Sequence, residues 1–131
     1  MAHHLDAARA RALVDQFASR RVVVVGDVMI DEFVVGRVER ISPEAPVPVV
    51  RYQRSDARLG GAANVAQNVA AYGAHVALVG LVGHDDAATT LARLLGAAGI
   101  DASGLVRDAS RPTTRKQRIV TTRNQQVARI D

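Results

Sequence analysis

The stretch GGAANVAQNVAAYGAHVALVGLVG, Gly60 to Gly83, decides how this chain of 131 residues is read. Two adjacent glycines run into a small-residue helix, Ala62 to about Tyr72, stopped by Gly73. A strand, Ala74 to Val82, follows at once. Gly60 and Gly61 allow positive φ and close backbone approach, and they lead into the positive end of a helix. Unpaired N–H groups at such an end suit an anion or a sugar oxygen. Asn64, on the first turn, offers both a donor and an acceptor, while Ala62, Ala63 and Ala66 keep the surface small. Taken alone, the pair reads as a plain turn before a helix.

Upstream, RRVVVVGDVMIDEF begins with four valines bounded by Gly26. A short β-branched run of this kind predicts a parallel strand buried on both faces. Its carboxyl end, where open α/β sheets put their ligands, carries Gly26 and Asp27. FVVGRVERI and PVPVVRYQR read as short strands around a turn at Ser42–Pro48, and the three prolines there favour an edge or lid-like excursion. Before all this, Leu5, Ala12, Leu13, Gln16 and Phe17 fall at roughly helical spacing, and His3 and His4 are given no role.

Downstream, Asp85 or Asp86 caps a helix through about Ala98, with Gly99 as its stop. SGLVRD, TTRKQRIVTT and QQVARID read as short strands, the last two joined in a hairpin at Arg123–Asn124. The order β, excursion, α, β, α predicts a doubly wound α/β fold with a mostly parallel sheet. Only two convincing parallel strands occur before the chain stops on ARID, against the usual ~5–6 of a sheet. The expectation is the front part of a longer protein.

Composition narrows the function classes. No apolar run approaches the ~20 residues that cross a bilayer, and the N-terminus lacks a secretory pattern. Cysteine is absent, which removes disulfides and thiolate metal sites and fits a cytoplasmic setting. The net charge of +4 invites a nucleic-acid partner, but the arginines are scattered and aromatics are only 3%. No nucleic-acid or membrane partner is expected; a basic excess suits an anionic small molecule equally well. Lys116 is the single lysine among 17 basic residues, which raises a specific need for an ammonium head beside the plainer reading of an exposed lysine.

Known fingerprints are missing. The lone lysine lies far from any P-loop spacing, and the first strand ends in GDVMID rather than a dinucleotide-binding glycine pattern. His75 and His84 lack metal-ligand spacing and read as structural, so no metal site is expected. No G-x-S-x-G elbow occurs. What remains is Asp27 and Asp31 bracketing the end of the first strand, where an ionised carboxylate accepts hydrogen bonds from sugar hydroxyls. A turn-capping role for Asp27 stands equally open.

At this point the glycine stretch resembles, in full, the first signature of the PfkB (ribokinase-like) carbohydrate kinases. Gly60, Gly61, Asn64, Ala66, Gly73 and Gly83 occupy its fixed places. The flanks GDVMIDEFVVGRVERISPEAPVPVV, LVGLVGHDDAA and TTRKQRIVTTRNQQVARID are similar to the members that phosphorylate D-glycero-β-D-manno-heptose 7-phosphate at C1, which serve ADP-heptose and lipopolysaccharide core synthesis. The similarity covers about Arg21 to Asp131. It implies a ribokinase-like fold with a small β-lid, with lid strands at about 33–54 and 113–130 and a homodimer formed through the lid. It also implies that Asp31, Gly60, Gly61 and Asn64 bind the acceptor sugar. Lys116, Arg118, Arg123 and Gln125 lie in the heptose-kinase-like stretch, with Lys116 or Arg123 expected to meet the 7-phosphate. ATP and Mg2+ are implied for the intact enzyme. The family's second signature, D-x-x-G-A-G-D, which supplies the anion hole and the catalytic base, is absent, as is the ATP-binding half. The base is therefore expected beyond residue 131, and this chain alone is expected to be inactive. A kinase for another sugar or a nucleoside, and a non-catalytic lid-mediated dimerisation fragment, are the alternatives.

Overall fold

The computed structural model describes residues 6–131. His3, His4 and Leu5 lie outside the described residues. Helix α1, Ala7–Asp15, starts at Asp6, whose carboxylate accepts the Arg9 N–H at 2.7 Å. A single 3-10 turn, Gln16–Ser19, follows, and Phe17 there meets Tyr72 edge-on with ring centroids 5.9 Å apart. No residue of α1 is buried, so this helix is a flank and not a core element.

Strands β1 (Arg21–Val25), β4 (His75–Val82) and β5 (Asp101–Arg107) form a three-stranded parallel sheet in the order β1-β4-β5. Helices α2 (Ala62–Ala71) and α3 (Asp86–Ala97) connect and cover it. The α/β class expected from the element order is what is found, and β5 adds a third parallel strand to the two read from the sequence. One expectation fails. The first strand is not buried on both faces: Val22 and Val24 turn inward, while Val23 and Val25 are 63% and 72% exposed. Only one face of this sheet is covered among the described residues.

The lid departs from its expected length. Strands β2 (Val28–Ile41) and β3 (Pro48–Gly61) are 14 residues each and pair antiparallel. The hairpin begins directly after Asp27 and runs to the second glycine, so Gly60 and Gly61 end a strand and do not form a loop. The cause is alternation: Val28, Ile30 and Leu59 are apolar positions at period 2, and all three are buried in the core, which extends the strands down to it. Strand β6 (Thr114–Thr121) then lies parallel to β2, and β7 (Gln126–Ile130) closes the four-stranded sheet β3-β2-β6-β7. The β6–β7 turn contains Asn124 at φ 60°, a conformation that asparagine tolerates.

The core is built from the base of the lid, β4 and the two helices. Leu78, Leu91 and Leu95 are fully buried, each contributing about 1.5–3 kcal/mol of burial. Ala63 and Ala66 are also fully buried, and their small side chains bring α2 close to the sheets. Gly73 (φ 90°) and Gly99 (φ 68°) end α2 and α3, as expected. Asp85, not Asp86, is the N-cap of α3.

Candidate functional site

A cleft of about 490 Å3 opens where the lid base meets α2 and α3. Asp31, Phe33 and Arg58 reach it from the lid, Asn64 and Gln67 from α2, and Leu94 from α3. Asp31 and Asn64, 33 positions apart in the chain, therefore line one cavity.

The glycine pair gives this site its shape. A Cβ on Gly60 would stand 2.7 Å from Asp31 Oδ2 and 2.9 Å from Met29 Cγ, so the bare glycine leaves the room that the carboxylate occupies. Gly61 is the N-cap of α2 at φ 55° and ψ −131°, a backbone conformation that side chains resist. A Cβ there would meet the Asp27 carbonyl oxygen at 2.4 Å. That same carbonyl accepts the Ala62 N–H at 2.8 Å. Asp27 thus holds the start of α2 through its backbone, and no side chain caps the helix. The α2 N-terminus stays available to a ligand oxygen.

Charge is organised by strand register. Asp31 pairs with Arg58 on β3 and with Lys116 on β6; Phe33 pairs with Asp56 and Arg118. Paired residues share a face of a sheet, so Arg58, Asp31 and Lys116 form one cross-strand row. Asp56, Phe33 and Arg118 form the next. Arg118 Nη1 donates to Asp31 Oδ1 at 2.5 Å, with side-chain exposures of 27% and 24%. The guanidinium carbons of Arg58 and Arg118 lie 4.6 Å and 5.4 Å from the Phe33 ring centroid. On the opposite face Arg115 pairs with Glu32, whose Oε2 also accepts from Gln117 Nε2 at 3.1 Å.

Lys116 stands beside Asp31 in register but does not line the cleft. Arg123 and Gln125 are elsewhere, exposed on the β6–β7 turn against a separate cleft of about 940 Å3 with Arg37 and Glu39. Five residue steps separate Lys116 from Thr121 at the base of that turn, roughly 16 Å along the strand. Within one chain these two groups of residues do not share a cavity. Sequence reasoning gave no site role to Arg58, Phe33, Arg118 and Gln67, and placed Arg118 only within the heptose-kinase-like stretch. The period-2 rule carries the signal for the first three: Arg58 shares a strand face with Gly60, Phe33 with Asp31, and Arg118 with Lys116.

The base of β6 is fixed by a buried knot. Thr113, 4% exposed, donates its backbone N–H to Asp85 Oδ2 at 2.8 Å and its hydroxyl to Asp85 Oδ1 at 2.7 Å. The Thr113 Oγ1 accepts the Gly83 N–H at 2.9 Å, and Asp85 Oδ1 accepts the Ala88 N–H at 2.8 Å. The Thr113 backbone N–H, foremost, holds the Asp85 carboxyl below its ordinary value of 3.8. The knot joins the end of β4, the start of α3 and the strand that carries Lys116 and Arg118.

Among the described residues no cluster of His, Asp or Glu suits a metal ion, and no helix is long and apolar enough to cross a membrane. Similar proteins agree with the fold. A D-beta-D-heptose 7-phosphate kinase from Bordetella bronchiseptica is 52% identical over 117 residues, covering 89% of this chain and 37% of the relative. A bifunctional protein HldE from Bradyrhizobium diazoefficiens is 55% identical over 109 residues, covering 83% of this chain and 22% of the relative. The chain thus spans between about a fifth and two fifths of the length of these two relatives. A ribokinase from Cryptococcus neoformans var. grubii, solved in complex with ADP, matches with a TM-score of 0.59 at 26% identity, over 85% of this chain and 33% of that one. Residues 19–131 match the family model of the pfkB family carbohydrate kinases, and the chain belongs to that family.

Proposed function

We propose that this chain is the sugar-binding part of an ATP-dependent carbohydrate kinase whose acceptor is D-glycero-β-D-manno-heptose 7-phosphate, phosphorylated at C1 in the route to ADP-heptose. The observation that carries the proposal is the meeting of Asp31 and Asn64 at one cleft, with Gly60 making room for the Asp31 carboxylate and Gly61 starting the helix that carries Asn64. The relative named as a heptose 7-phosphate kinase, 52% identical, supports the choice of sugar.

The chemistry assigned to these residues is recognition and orientation. The Asp31 carboxylate accepts from a sugar hydroxyl, and the Asn64 amide donates and accepts. The N–H groups of the first turn of α2 point to a sugar oxygen or an anion. Of the two cations expected to meet the 7-phosphate, Lys116 stands in Asp31's row outside the cleft lining and Arg123 lines another cleft. Such contacts hold an acceptor hydroxyl in place for in-line attack, and placement accounts for much of phosphoryl-transfer catalysis. ATP and Mg2+ supply the transferred phosphoryl group and its charge neutralisation when bound to the intact enzyme. No residue of this chain is assigned as the catalytic base, and the lid sheet is assigned as the surface that joins two copies. A cytoplasmic setting follows from the substrates.

Calorimetric titration of the 131-residue chain with heptose 7-phosphate, fructose 6-phosphate and ribose tests the substrate. Tightest binding of the heptose phosphate is expected, and equal or tighter binding of either comparator overturns the assignment. A coupled ADP-release assay on the same material is expected to stay at background. Sugar-dependent turnover would refute the assignment of no catalytic base to this chain.

A further inference from the structure

Resting on the sugar-phosphate assignment made above, we propose that Arg58 and Arg118, gathered over Phe33, are the phosphate seat of the cleft, and that Arg118 couples phosphate recognition to Asp31. Neither residue belongs to the glycine signature, and neither has been given a role so far.

The charge count on this sheet face motivates the proposal. Three successive rows cross β3, β2 and β6: Arg58–Asp31–Lys116, Asp56–Phe33–Arg118 and Arg54–Val35–Val120. They hold four cations (Arg54, Arg58, Lys116, Arg118) and two carboxylates (Asp31, Asp56), leaving an excess of two positive charges. Arg54 pairs with Asp56 at 3.1 Å and Arg118 with Asp31 at 2.5 Å. Arg58 and Lys116 have no carboxylate partner among the described residues. Arg58 and Lys116 flank Asp31 on the two strands that neighbour β2, and its single carboxylate, already paired with Arg118, does not neutralise both. A phosphate monoester, which carries close to two negative charges at neutral pH, matches the excess.

Geometry selects the arginines. Both guanidinium groups lie over the Phe33 ring, which lines the cleft, and Arg58 lines it as well. A guanidinium over an aromatic face carries several N–H donors, so Arg58 offers its own to phosphate oxygens and Arg118 has donors besides the Nη1 that meets Asp31. Arg58 is exposed, so the seat faces solvent and a ligand reaches it without rearrangement of the core.

Arg118 has a second consequence. It now occupies Asp31 Oδ1, one of the two oxygens that a sugar hydroxyl would use. An unphosphorylated sugar must compete with that guanidinium for the carboxylate. A phosphorylated sugar draws Arg118 onto its phosphate and releases Asp31 Oδ1 for the hydroxyl. The pair therefore discriminates against free sugars as well as attracting phosphorylated ones.

Calorimetry on wild type, Arg58→Gln, Arg118→Gln and Arg118→Lys tests this, with heptose 7-phosphate and the unphosphorylated heptose as probes. Circular dichroism melts identify any variant that fails to fold. Arg58→Gln is expected to weaken the phosphorylated sugar at least about tenfold and leave the free sugar unchanged. Arg118→Gln is expected to weaken the phosphorylated sugar and strengthen the free one, narrowing their affinity ratio more than Arg58→Gln does. Arg118→Lys retains part of the discrimination. Wild-type affinity for the phosphorylated sugar in a folded Arg58→Gln or Arg118→Gln overturns the proposal, as does a wild type that binds both sugars equally. Should another sugar phosphate bind best with the same arginine dependence, the heptose assignment falls while the phosphate seat stands.

Discussion

Replacing Thr113 with valine keeps its shape and removes one hydroxyl, and the knot at the base of β6 gives the cost. The Thr113 Oγ1 accepts the Gly83 N–H and donates to Asp85 Oδ1. In the variant the buried Gly83 N–H has no acceptor, which costs about 1–3 kcal/mol. Asp85 keeps the N–H donors of Thr113 and Ala88 and loses one hydrogen bond to a charged group, which adds about 1.5 kcal/mol before the gain from an extra buried methyl offsets part. A net loss of about 2–4 kcal/mol is expected. At about 2.1 cal/mol/K per residue, a chain of 131 residues turns this into a Tm lower by about 7–14 °C. Thr113→Ser keeps the hydroxyl and is expected to lose clearly less. Circular dichroism melts at neutral pH make the measurement, and repeating them in acid adds a sign. The Asp85 carboxyl sits below its ordinary value of 3.8 in the folded chain, so its stabilising effect is complete above that value and is lost as pH falls through the folded one. The gap between wild type and Thr113→Val is therefore expected to hold at pH 7 and shrink below about pH 4. A valine variant melting within about 2 °C of wild type, or a serine variant as damaged as the valine one, would refute the knot as the anchor of β6.

The remaining predictions concern the glycines and the two faces of the parallel sheet. Gly60→Ala places a methyl 2.7 Å from the end of a movable Asp31 side chain, so melts are expected to fall by only about 1–2 kcal/mol while sugar affinity by calorimetry drops more than about tenfold. Gly61→Ala meets a backbone oxygen at 2.4 Å in a strained φ, and is expected to lose about 3 kcal/mol or more in denaturant titration. Leu91→Ala empties the centre of the core and is expected to cost about 2–5 kcal/mol. Val25→Thr, on the uncovered face of β1, is expected to stay within about 0.5 kcal/mol of wild type in the same titration.

Where the chain spoke locally, the sequence was legible. Helix starts and stops are single-residue chemistry: Asp85 as cap, Gly73 and Gly99 at positive φ, Asn124 in the hairpin turn. The first lid hairpin was visible as alternation, but its lower boundary was not, because Val28, Ile30 and Leu59 bury themselves against helices whose position no local pattern encodes. The pairing of β2 with β6 joins Asp31 to Lys116 across 85 positions, and that parallel register is set by the knot at Thr113 and Asp85. Arg58 shows why half the site stayed hidden. As an arginine on an exposed strand it has nothing to distinguish it from Arg54 four residues earlier. It becomes a site residue only when register sets it beside Asp31 and over Phe33. The four valines misled in the other direction, since a run of β-branched residues reports that a strand is fit for burial on both faces and not that both faces are covered.

The glycines of the opening stretch turn out to answer separate needs, which explains their fixed offsets. Gly60 is small because Asp31's carboxylate fills the space a side chain would take, a need of the site. Gly61 is small because the chain must turn from a strand into α2 against the Asp27 carbonyl, a need of the backbone. Gly83 is small because Thr113 N and Asp85 Oδ2 would stand 2.8 Å and 2.9 Å from its Cβ, a need of the knot that seats β6. Three different neighbours impose these needs, at the end of β1, on β2 and at the base of β6, so no single turn requirement generates the spacing. A plain turn before a helix requires only Gly61. The presence of Gly60 follows from the carboxylate it accommodates, and that of Gly83 from the strand that brings Arg118 to the same carboxylate. Both lead to Asp31, the residue at which the sugar and phosphate proposals meet.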